Sequence, residues 1–157
     1  AFLTYDDAIQ YYNLKPILKQ PQMLVMSDTE KQGKYFMPQP DDLLVNLEES
    51  YDLVLNLLDN MPNYFTRSNT AESIFVTALQ CAHELLHGIG GKMVFFQVSQ
   101  MILRHPKLQP SEDKTKQPKQ GGERLDLWQS ANRFFVNTGV ELAKGQISFD
   151  LFDFSFG

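Results

Sequence analysis

Seven consecutive residues, Lys92-Met93-Val94-Phe95-Phe96-Gln97-Val98, limit the fold more than any other stretch of this chain. Glycines at 88, 90 and 91 lead into the run, and no alternation of polar and apolar residues breaks it. Such a run, of strand length and apolar in both directions, is expected of an interior strand covered on both faces. The chain must therefore carry helices to cover that strand and further strands to pair with it.

Both are legible around it. Leu47, Tyr51, Val54, Leu55, Leu58 and Met61 recur at helical spacing, with Asn46 and Glu49 placed to cap the start and Pro62 to close the helix. A second helix is expected from about Thr70 to His87. Asn69 and Glu72 form its possible capping pair, Ile74, Ala78, Ala82 and Leu85 its buried stripe, and Gly88 its end. Leu125, Trp128, Ala131 and Phe135 announce a third.

Strands are expected before and after the helices. The opening residues, Ala1-Phe2-Leu3-Thr4-Tyr5 and then 8–14, are two β-branched and aromatic runs joined by Asp6-Asp7, a hairpin signal. Residues 23–27 are a short apolar run. The stretch 28–42 contains Pro38 and Pro40 and reads as a loop. Residues 105–122 carry three prolines, two glycines and almost no apolar side chain, and read as a mobile excursion within a loop at about 99–124. The last aromatic segment, 147–155, reads as a strand. Helices alternating with such strands predict one three-layer α/β domain over 1–157, with helices on both faces of the sheet.

Charge and cysteine usage narrow the function. Against 19 Asp and Glu there are 14 Lys and Arg, a net charge of −5, with no basic face long enough to neutralise a string of phosphates, so nucleic acid is not an expected partner. The single cysteine, Cys81, cannot close an intramolecular disulfide and reads as a packed thiol of a cytosolic protein. No run of 18 apolar residues is present to span a membrane. The text opens on a strand with no leading Met, as expected of a piece of something longer.

One motif suggests chemistry. His83-Glu84-Leu85-Leu86-His87 spells the zinc-hydrolase pattern H-E-x-x-H, in which two histidines one turn apart bind the metal and the glutamate polarises water. Gly90 stands where the longer pattern wants glycine, but its third ligand position is Met93, a poor zinc ligand, and His105 opens the excursion. At about 100° per residue, the buried stripe lies away from both histidines, which should face water. The motif reads as a surface coincidence.

Several segments together resemble a known family. PQMLVMSD, PQPDDLLVNLEES, LLDNMPNYF, TALQCAHELL, GGKMVFFQ and ISFDLF are similar, in order, to the trunk domain of the COPII inner-coat subunits. The closer match is the cargo adaptor, the Sec-twenty-four family. The resemblance implies a von Willebrand factor A-like α/β fold lacking, over these residues, its first strand and helix. The same fold elsewhere holds Mg²⁺ through a D-x-S-x-S loop, a threonine and an acidic residue. Here Thr70 could stand for the threonine and Gln97 replaces the acid, so no metal or catalytic residue is assigned, and Asn69-Thr70 read as a helix start.

The resemblance further implies a non-enzymatic coat adaptor that pairs with the smaller inner-coat subunit and supports cargo selection in endoplasmic reticulum to Golgi transport. A small GTPase and cargo or SNARE proteins would be met through the full coat, whose membrane association is peripheral at exit sites. No cofactor is expected in this fragment, a structural zinc belonging to a separate domain of the family. The smaller, GTPase-activating paralogue and the hydrolase using His83, Glu84 and His87 are the alternatives. Residues 1–14, with Tyr11 and Tyr12, and the Lys114, Lys116, Lys119 cluster beside Glu112 and Asp113 are the surfaces that could meet a partner or anionic lipid, although core burial and a solvated face are their ordinary roles. The fragment is expected to be unstable without its missing strand.

Overall fold

The computed structural model describes residues 1–27, 37–66, 72–98, 100–101 and 122–154. Three antiparallel strands open the chain: β1 (Leu3–Tyr5), β2 (Ile9–Asn13) and β3 (Gln22–Met26), with β2 in the middle. Asp6 turns the first corner, its Oδ1 accepting from the Ala8 N–H and from Gln10 Nε2 at 3.0 Å each. The run at 23–27 is thus the third strand of a meander, pairing Ile9 with Met26 through Asn13 with Gln22.

Strict alternation along β2 divides the core. Ile9 and Tyr11 face one way, into a cluster with Phe75, Val76, Leu79, Met93, Phe95 and Ile147. Tyr12, with Leu14 just beyond the strand, faces the other way, against Leu53, Val54 and Leu57. Full burial of a large apolar side chain contributes roughly 1.5–3 kcal/mol, so this short strand fastens two layers. Both tyrosines are spent in the core and offer no aromatic surface to a partner.

Helix boundaries differ from the sequence reading in instructive ways. Helix α1 (Pro40–Leu43) takes up the end of the stretch read as loop. Its proline sits in the first turn, where no backbone N–H is needed, and Asp41 and Asp42 meet the positive helix end. Helix α2 (Tyr51–Tyr64) begins four residues later than the pattern suggested. Asn46 does not cap it; its Oδ1 accepts from the Glu48 N–H at 2.9 Å and builds a turn over the preceding residues. The buried face is Leu53, Val54 and Leu57, while Leu47, Tyr51, Leu55 and Leu58 are exposed. Pro62 lies within the last turn rather than closing the helix, since its ring forfeits a single bond there.

Helix α3 (Phe75–Leu86) follows the two-residue strand β4 (Glu72–Ser73), so Glu72 belongs to a strand and not to a helix cap. Asn69 and Thr70 lie outside the described residues. Gly88 ends the turn after α3 with φ +80, as a left-handed residue should. Strand β5 (Gly91–Gln97) leads to β6 (Gln100–Met101), which pairs parallel with β4. Helix α4 (Gly122–Lys144) then crosses to β7 (Ile147–Asp153), parallel to β5 from Gly91 with Ile147 to Gln97 with Asp153. Most of the excursion, including His105, Glu112, Asp113, Lys114, Lys116 and Lys119, lies outside the described residues.

Two expectations about the sheet need correction. The described strands form three separate sheets rather than one. Strand β5 is not covered on both faces: Met93, Phe95 and Gln97 are buried, whereas Val94, Phe96 and Val98 are exposed beside Phe152 and Phe154 of the β7 side. Phe96 and Phe152 stack on that bare face, their rings 5.3 Å apart at 15°. The apolar run carries two apolar faces, of which these residues cover one.

Candidate functional site

The H-E-x-x-H residues lie along the end of α3 and in the turn that follows it. His83 lies half-buried in the last turn of α3, and His87, exposed, is its C-terminal cap. Glu84 is exposed between them. Met93 points into the core at 4% exposure. Gly90 holds φ +77 to turn the chain into β5, with its Cα approaching the Gln146 carbonyl so closely that a Cβ would stand 3.2 Å from it. Among the described residues, no group of three or more His, Cys, Asp or Glu is placed to hold a metal ion. Cys81 is buried against Tyr11, and burial raises the pKa of both groups, so the thiol is a poor nucleophile.

At the C-terminal end of β5 the structure builds a polar link. Tyr5 Oη donates to Gln97 Oε1 at 2.7 Å, and Gln97 Nε2 donates to Ser73 Oγ at 2.7 Å. Gln97 and Ser73 are almost fully buried. The carboxamide suits this place because one end accepts and the other donates, so a single side chain joins β1, β4 and β5. Burial, and then the charge of Asp153, push the Tyr5 phenol up to about 12. Sequence reasoning weighed Gln97 only as a missing carboxylate; its role as a link depends on partners 92 and 24 residues away.

Tyr5, which donates to that link, also lines a groove. This groove, of about 610 Å³, separates β1 from β5, lined by Phe2 to Tyr5 on one side and Lys92 to Phe96 on the other. Its floor is Ala78, Ala82 and Leu85 of α3, with Leu58 and Met61 of α2 at the side. Small residues on the floor leave room for a backbone to lie close to the helix. Both walls are strands, and among the described residues neither has a partner on the side that faces the groove. Two unpaired edges over an apolar floor are the chemistry of strand addition: main-chain donors and acceptors provide affinity, and alternate side chains fill the floor.

The ladder geometry says which groups face it. The Gly91 N–H donates to Gln146 O, and Gln97 O accepts from the Phe154 N–H, both on the β7 side. Because the N–H and C=O of a strand residue point the same way, the odd-numbered residues of β5 turn to β7. Lys92, Val94 and Phe96 turn their backbone groups to the groove.

Comparison with known proteins agrees on one family. The family model of the Sec23/Sec24 trunk domain matches residues 1–156. The chain is 36% identical over 153 residues to the human protein transport protein Sec24A, covering 97% of this chain and 13% of that protein. It is also 36% identical over 157 residues to SEC24 A of Arabidopsis thaliana, covering 99% of this chain and 14% of that protein. The crystal structure of the human COPII-coat protein Sec24c superimposes with a TM-score of 0.73 at 29% identity, over 99% of this chain and 20% of that one. This mixed α/β chain, which spans about an eighth of the length of such relatives, belongs to the Sec23/Sec24 trunk-domain family of protein transport proteins.

Proposed function

We propose that this domain is a structural and binding part of a vesicle coat and performs no chemistry of its own. On this reading it is the trunk of the cargo-adaptor subunit of the COPII inner coat, pairing with the smaller inner-coat subunit and supporting cargo selection in transport from the endoplasmic reticulum to the Golgi. A small GTPase and cargo or SNARE proteins are met through the assembled coat, and membrane association is peripheral. The family match over residues 1–156 carries the reading. The half-buried His83, the exposed His87, the buried Cys81 and the neutral link at Gln97 are consistent with a domain selected for shape.

The groove gives the reading a structural content. We take it as the seat of the central first strand of a von Willebrand factor A-like sheet, which would join the β1 and β5 ladders, with the bare face of β5 and β7 marking a layer to be covered by further chain. Sedimentation of the full-length protein with the smaller inner-coat subunit tests the function. A stable one-to-one complex is expected; a folded protein that sediments alone would remove the adaptor reading.

A further inference from the structure

His83 and His87 are left unused by the coat function. Their rings stand side by side at the end of α3, with centres 6.0 Å apart and planes at 86°. An ion 2.0–2.1 Å from one nitrogen of each of two imidazoles holds the ring centres roughly 5 Å apart, so a small rotation of two solvent-accessible side chains closes the pair on a metal. Imidazole suits copper, nickel and zinc, whereas carboxylate and water suit magnesium and calcium.

A third side chain sets the number of protein ligands. Glu141 of α4 is drawn below the usual carboxylate range by its hydrogen bond to Lys144 and the charge of that lysine, with smaller contributions from the charges of His83 and His87. Lys144 Nζ donates to Glu141 Oε1 at 2.9 Å, so the carboxylate is already engaged. The two rings are therefore left as the protein ligands. Glu84 is not needed for binding, since both nitrogens come from the rings.

We propose that His83 and His87 form an exchangeable two-imidazole chelate for a divalent transition-metal ion at the α3 terminus, with water completing the coordination. The order of preference is Cu²⁺ over Ni²⁺ and Zn²⁺. The site is distinct from a hydrolytic zinc centre, which encloses its ion and draws a third protein ligand.

Titration of the untagged full-length protein with Cu²⁺, followed by electron paramagnetic resonance, tests this. The expected result is one equivalent of copper with two imidazole nitrogens, lost in His83→Ala and in His87→Ala and kept in Glu84→Gln. His87 is exposed, so its variant keeps the fold. The proposal is overturned if the wild type binds no more copper than His87→Ala, or if Glu84→Gln removes the signal as completely as the histidine variants do.

Discussion

The two edges of β5 show what this domain holds within itself and what it needs from elsewhere. On one side β5 meets β7 in a parallel ladder seven residues long, joined at its start by Gly91 N–H to Gln146 O and at its end by Phe154 N–H to Gln97 O. On the other side the same backbone looks across an apolar groove at β1. The first edge has its hydrogen bonds; among the described residues the second has a floor and no strand. A buried unpaired backbone group costs about as much as a lost hydrogen bond, so a sheet built this way is complete only when that edge is filled.

The largest expected effect follows directly. Residues 1–157 made alone should unfold without a cooperative transition in urea, whereas a chain extended upstream through one more strand should unfold in a single sigmoidal step. A cooperative transition in the shorter chain would show that the groove can stay empty at little cost.

Phe75 belongs to both regions. It meets Tyr5 of β1 at 6.3 Å, and Phe95 and Phe149 of the β5–β7 ladder at 5.4 and 6.5 Å. Phe75→Ala in the full-length protein should cost about 3–5 kcal/mol, read as a lowered urea midpoint of this domain. A loss under 1 kcal/mol would mean that the two regions are held together elsewhere.

The Gln97 link sharpens the comparison at one end of the groove. Gln97→Leu leaves Tyr5 Oη and Ser73 Oγ short of a partner and should cost about 1–3 kcal/mol. Its alkaline counterpart has a definite sign. The folded Tyr5 titrates near 12 against 10 in the open chain, so the protonated phenol contributes stability in full below pH 10 and loses it as pH rises through about 12. Tyr5→Phe should make the fall of the urea midpoint over that window shallower; an unchanged slope would assign the loss to other tyrosines.

The smallest effect is expected on the finished side. Lys92 Nζ lies 2.6 Å from Asp150 Oδ2 across the β5–β7 ladder, with both side chains exposed. Lys92→Met should change stability by less than about 1 kcal/mol, and a larger loss would mean that this ladder is less self-sufficient than its hydrogen bonds suggest.

How far these features could be read beforehand depends on how local their causes are. The stripe of Ala78, Ala82 and Leu85 and the left-handed Gly88 are set within a few residues, and the sequence shows them. The start of α2 was misplaced because Asn46 satisfies the Glu48 N–H in a turn, an alternative that capping residues always offer. Residues 92–98 revealed two apolar faces but not which one these elements cover, since that depends on where α2, α3 and α4 dock. The groove needs Phe2, Ala82 and Phe96 together, and no pattern within one segment can announce a space between three. Gln97 was legible as an amide where a carboxylate might stand, yet its partners are tertiary.

Amide hydrogen exchange along β5 in the full-length protein tests the central claim most directly. The odd-numbered Met93, Phe95 and Gln97 bond toward β7, and the backbone groups of Lys92, Val94 and Phe96 point toward the groove. A strand seated in the groove predicts slow exchange at all six amides. Protection of Met93, Phe95 and Gln97 with open-chain exchange at Lys92, Val94 and Phe96 would contradict the account, because the second edge of β5 would then be open in the complete protein.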